Sequence, residues 1–149
     1  MTQRANVCPM YAKRVVPKMS VIASPIGWEH FLSYYTYPPA NSKPHKKYPL
    51  VIGFTPFRER LNDMAPICAQ TIANCGAYVV IIDRGIWLNE IDTWSAEVML
   101  VYHHLLEDKS MSIDSGRVYL FARSGENGAL SGMLATNSAP WRGMIALIH

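Results

Sequence analysis

An α/β architecture is predicted, a three-layer αβα sandwich around a mostly parallel sheet with an antiparallel hairpin at its N-terminal end. Three observations predict it. Leu50 to Phe54, Ala77 to Asp83 and Arg117 to Ala122 are unbroken apolar runs of strand length, as in strands buried on both faces of a parallel sheet. Segments of helical period separate these runs, so right-handed crossovers would cover both faces. Two short β segments precede them, joined by Ser24-Pro25-Ile26-Gly27, whose composition is that of a hairpin turn.

The first hairpin strand is expected over Val15 to Ala23 and the second over Glu29 to Tyr37, extending one edge of the sheet. A polar loop with Pro38, Pro39 and Pro44 leads to Tyr48-Pro49 and the strand Leu50 to Phe54. Asn62 or Asp63 caps a helix in which Met64, Ile67, Cys68, Thr71, Ile72 and Cys75 share a face, with Gly76 as its stop. After the strand Ala77 to Asp83, the amphipathic segment Ile91 to Leu106 buries Ile91, Trp94, Val98, Val101, Tyr102 and Leu105. A helix carrying Ala129, Leu130, Met133 and Leu134 follows the strand Arg117 to Ala122, and Gly143 to Ile148 forms the last strand. Residues 1–14 read as an N-terminal extension and residues 15–149 as one domain.

Composition narrows the classes. Of 149 residues, 50% are hydrophobic and 17% charged, which excludes a disordered chain. The net charge of +3 is mild and its cations are scattered apart from Lys43 to Lys47, so nucleic acid is not an expected partner. No apolar run reaches the length of a membrane span, and Met1 to Lys18 lacks the apolar core of a signal peptide. Cys8, Cys68 and Cys75 have no metal-ligand spacing. Cys68 and Cys75 lie too far apart along one helix to be bridged, so buried thiols and a cytoplasmic setting are expected.

The chemistry-bearing stretch is Arg117 to Ala135: strand, sharp small-residue turn with Ser124, helix. A serine at such a turn projects from the carboxyl edge of the sheet beside the free N–H groups of a helix start, the geometry of a nucleophile. The Gly125 N–H, next in the chain, is placed as an oxyanion donor. The competing reading of Ser124 is an ordinary helix N-cap, and Glu126 suits a first helical turn. Among five histidines, His103 and His104 fall on the solvent side of their helix, His30 in the hairpin and His45 in the lysine-rich loop. His149 follows a strand at the carboxyl edge, but as a terminal residue it is a poor candidate for the base. Asp83 at a strand end would suit a ribose hydroxyl, yet Gly53-Phe54-Thr55-Pro56-Phe57 is not a glycine-rich phosphate turn, and an ion pair or loop cap is preferred.

The order of these pieces resembles the start of an α/β-hydrolase catalytic domain, and is most similar to the prolyl oligopeptidase family and related esterases. The likeness rests on Ser24-Pro25-Ile26-Gly27, Tyr37-Pro38-Pro39, Lys47-Tyr48-Pro49-Leu50-Val51-Ile52, the segment from Arg117 through Gly128, and Trp141 to Leu147. It implies a partial α/β-hydrolase fold and a serine hydrolase acting on a peptide or small ester, with Ser124 as nucleophile. A second oxyanion donor would be the N–H of Phe57. The matching loop of the family carries H-G-G where this chain has Thr55-Pro56-Phe57, and Pro56 has no N–H to donate. The family elbow G-x-S-x-G is here Ala122-Arg123-Ser124-Gly125-Glu126.

The family places its acid and histidine after later strands, so the resemblance implies that about half of a catalytic domain is missing. No cofactor or metal is expected. A homo-oligomer or a missing C-terminal partner would cover the last strand, and the 149-residue chain alone is expected to be inactive and to self-associate. The alternative is a non-catalytic remnant serving as scaffold or interaction surface. A third reading, a flavodoxin-like ligand-binding domain, would carry a co-purifying nucleotide or flavin.

Overall fold

The computed structural model describes residues 16–23, 31–54, 64–83, 91–123 and 140–147. Within them the chain runs β1 (Lys18–Ala23), β2 (Phe31–Tyr37), β3 (Tyr48–Phe54), α1 (Met64–Asn74), β4 (Tyr78–Asp83), α2 (Ile91–Glu107), β5 (Ile113–Arg123) and β6 (Trp141–Leu147). The six strands form one sheet in the order β1-β2-β4-β3-β5-β6. The β4–β3, β3–β5 and β5–β6 pairs are parallel, while β1–β2 and β2–β4 are antiparallel. Only β2 therefore runs against the others, and the expected hairpin does extend one edge.

The faces of the sheet are covered by opposite helices, as the three-layer expectation requires. Strand residues alternate between faces, so Leu50, Ile52, Val80, Ile82, Val118 and Leu120 pack beneath Val98, Val101, Tyr102 and Leu105 of α2. The other face carries Val79 and Ile81 against Ala69 and Ala73 of α1. Trp141 closes the first cluster edge-on against Tyr102, with ring centroids 5.7 Å apart. The Ala69/Ala73 pair, one turn apart and buried, forms the inner ridge of α1. Small side chains there let the helix lie close to the β-branched strand residues. Gly76 ends this segment as expected: at φ 94° it adopts the left-handed conformation that glycine tolerates, and its N–H reaches the Ala73 carbonyl at 3.0 Å.

Three expectations need correction. Cys75 was placed on the buried face of α1; it is exposed and disulfide-bonded, while Cys68 is a half-buried free thiol. The partner of Cys75 lies outside the described residues, and a disulfide there removes the reason to place the chain in a reducing compartment. Next, β5 starts at Ile113 rather than Arg117. Its polar opening Asp114-Ser115-Gly116 reads as a loop, but Ile113 pairs with Tyr48 before the register shifts and resumes at Leu50↔Val118. A bulge thus carries the polar residues within the strand. Third, β6 begins at Trp141, two positions earlier than expected, with its own register shift between Val118↔Trp141 and Tyr119↔Gly143. The turn at 24–27, the helix cap at 62–63, the helix expected after Ser124 and the extension 1–14 lie outside the described residues.

Among the described residues no helix is long and apolar enough to cross a membrane.

Candidate active site

All parallel strands of the sheet end at one edge, and β3 and β5 are its central neighbours. Gly53 stands opposite Phe121 in register, so Phe54 and Arg123, the last residues of these strands, reach the same edge side by side. Ser124 is the next residue after Arg123, and Phe57 follows Phe54 by three positions. The chain therefore leaves β3 and β5 at adjacent points of this edge, just before the segments expected to carry the nucleophile and its oxyanion donors. Ser124, Gly125, Glu126, Phe57, Thr55 and Pro56 themselves lie outside the described residues, as do His30 and His149. Asp83 ends β4 at the same edge.

Sequence reasoning passed over Gly53. A Cβ built there would lie 2.9 Å from both the Cδ1 and the carbonyl oxygen of Phe121. The backbones of β3 and β5 approach so closely just before the edge that no side chain fits. A glycine inside an otherwise apolar strand is itself the signal of such an approach.

Described histidines lie away from this edge. α2 runs antiparallel to the strands it connects, so its last turns sit near the start of β5. There His103 and His104 are exposed, as expected, and His104 Nδ1 is 2.9 Å from the hydroxyl of the buried Tyr34. Burial, ahead of all other influences, raises the Tyr34 phenol above its ordinary value. His45 occupies the turn before β3. Burial likewise pushes up the Cys68 thiol, which is the opposite of what a reactive thiolate needs. Among the described residues no three His, Cys, Asp or Glu side chains stand together as a metal-binding set.

Two carboxylates are held below their usual range, both at the starting end of the strands. Asp108 accepts from the Ser110 hydroxyl at 2.6 Å and the Ser110 N–H at 2.9 Å. Asp114 accepts from Arg117 Nε at 2.7 Å and the Gly116 N–H at 3.0 Å. Because folding lowers both pKa values, their stabilisation is present above the unfolded value of about 3.9 and is lost as pH falls through the lower folded values. The melting temperature is expected to drop as pH falls below about 4. Asp108→Asn should flatten that drop slightly, since both groups are only partly buried and each is worth little. A Tm–pH curve for the variant that superimposes on that of the parent would contradict the assignment to Asp108.

No family model and no curated protein matches the sequence. Solved structures do. A hypothetical protein of Pseudomonas aeruginosa superposes with a TM-score of 0.72 at 16% identity, covering 98% of this chain and 46% of that one. A protein assigned as a dipeptidyl aminopeptidase IV from Bacteroides ovatus gives 0.67 at 18% identity over 89% of this chain and 21% of its own. The acylaminoacyl peptidase of Pyrococcus horikoshii gives 0.62 at 15% identity over 91% and 23%. The chain shares its fold with these three structures, in keeping with the α/β architecture expected from the sequence. This chain spans less than half the length of each of these three proteins.

Proposed function

We propose that the chain is the N-terminal part of a serine hydrolase domain of peptidase or esterase type, with Ser124 as its nucleophile. The observation that carries the reading is β5, a central parallel strand that ends at Arg123 and so presents the next residue at the carboxyl edge, where open α/β sheets place their active sites. The fold shared with the acylaminoacyl peptidase supports the same chemistry. Ser124 Oγ attacks the carbonyl carbon of an ester or amide, a base takes the hydroxyl proton, and the leaving alcohol or amine departs from the acyl-enzyme that water then hydrolyses. The Gly125 N–H, with that of Phe57 as a second donor, stabilises the oxyanion. Peptides or small esters are the substrates.

The acid and base belong to sequence beyond this chain, in keeping with the 46% and 23% of its neighbours' lengths that it spans. β6 is an edge of the described sheet, and Ile145 on it is 39% exposed. The missing polypeptide, or a second copy of the chain, pairs with that edge. A non-catalytic scaffold is the second reading, favoured by the placement of His45, His103 and His104 away from the carboxyl edge.

A fluorophosphonate probe separates the two. In a form extended to the length of its structural neighbours it is expected to label Ser124, and Ser124→Ala is expected to remain unlabelled. Label on another residue, or none on the extended form, would overturn the hydrolase reading.

A further inference from the structure

At the end of the sheet opposite the candidate active site, two bulges aim cationic side chains at one rim. The register shift in β5 falls at 114–117 and that in β6 at Arg142, so Arg117 and Arg142 sit where their strands leave regular pairing. Each arginine is tied to the backbone of its neighbour. Arg117 Nη2 donates to the Lys47 carbonyl at 3.4 Å, and Arg142 Nε donates to the Gly116 carbonyl at 3.0 Å. Lys47, Arg117 and Arg142 thus form a row across β3, β5 and β6, about 10 Å long at the usual strand spacing.

The preceding loop extends the row. Lys46 N–H donates to the Lys43 carbonyl across Pro44 and His45, and His45 is held at φ 63°. This closed turn sets Lys43 and Lys46 beside Lys47, all exposed. Tyr48 fastens it: its hydroxyl accepts from the Lys43 N–H at 2.7 Å and Lys46 Nζ lies 5.2 Å from its ring centroid. The left-handed His45 and the two bulges set the backbone that carries these cations. The carboxylates at this end are largely engaged close by, Asp114 with Arg117 and Gly116, and Asp108 with Ser110. Lys43, Lys46 and Arg142 have no carboxylate partner among the described contacts, while Lys47 shares the field of Asp114 with Arg117.

We propose that this rim is a docking surface for an acidic polypeptide segment. Side chains on one side of an extended peptide recur about every 7 Å, so two or three carboxylates span the row. Arg142, held only through Nε, still offers its other N–H groups to an incoming carboxylate, whereas Arg117 is already paired with Asp114 and serves to fix the rim. Nucleic acid fits less well, because the aromatic rings at this end, Tyr48 and Tyr78, are buried and give bases nothing to stack on. A membrane fits less well, because the row itself carries no exposed large apolar side chain to enter lipid. The surface is independent of the hydrolase reading.

The test is fluorescence anisotropy of the purified protein with a labelled oligoglutamate peptide, beside an oligoglutamine peptide, single-stranded oligothymidylate and phosphatidylserine vesicles. Binding of oligoglutamate alone is expected, weakening as salt rises. Lys46→Glu/Lys47→Glu and Arg142→Glu should each weaken it about tenfold or more. Lys18→Glu, on the far edge strand, should leave it within about twofold. Circular dichroism confirms that these exposed substitutions leave the fold intact. No binding, equal loss with Lys18→Glu, or tighter binding of oligothymidylate or vesicles would overturn the proposal.

Discussion

Gly53→Ala is expected to destabilise the protein by about 3 kcal/mol, and Gly53→Val to prevent folding altogether. The new Cβ would meet Phe121 Cδ1 at 2.9 Å, its carbonyl oxygen at 2.9 Å and its Cβ at 3.1 Å. A ring can rotate away, but a carbonyl oxygen can move only with its strand. β5 has no freedom to move, because Phe121 is paired on one side with Gly53 and on the other with Ile145. Relief therefore requires prising β3 from β5 in the middle of the sheet. Phe121→Ala in the Gly53→Ala background should recover little, since it removes Cδ1 and leaves the carbonyl oxygen and Cβ in place. Urea titrations of both singles and the double would measure this. Recovery of stability in the double would show that the ring, and not the backbone, sets the spacing.

The same close approach explains what the sequence made legible. Strands β3 and β4 announce themselves because burial on both faces demands apolar side chains at every position, as in Val79 to Ile82. The inner face of α2 was readable for the related reason that Val98, Val101, Tyr102 and Leu105 recur with helical period. α1 misled, because its buried ridge is built from Ala69 and Ala73, which carry almost no hydrophobic signal, whereas Cys75 does and yet is exposed. The bulged opening of β5 was invisible since Asp114, Ser115 and Gly116 carry the composition of a loop. Lateral strand order is likewise set by packing among distant segments, not by any local pattern. The strand that precedes Ser124 was readable, and β5 does end at Arg123, while Ser124 itself lies outside the described residues. No base or acid for it was legible, because such groups are brought to a serine by the tertiary fold, from places no spacing rule connects.

That distinction sets the expected kinetics. If Ser124 is a nucleophile whose base lies downstream, the 149-residue chain hydrolyses an activated ester at no more than a small excess over background, and Ser124→Ala changes that rate little. A serine hydroxyl attacks slowly unless a base accepts its proton, and oxyanion donors alone leave only residual acceleration. None of the described histidines supplies the base. His45 is fixed in the turn before β3, and His103 and His104 lie on the last turns of α2, at the opposite end of the strands from Arg123. His104 is moreover engaged with Tyr34. In the extended form the full constellation acts as a unit, so Ser124→Ala is expected to lower kcat about 10⁴-fold or more. Ester hydrolysis by the four proteins, short and extended, with and without Ser124, reads this directly. Ser124-dependent turnover by the short chain would place the base within it, at His30 or His149. An extended form indifferent to Ser124→Ala would leave the sheet as a scaffold.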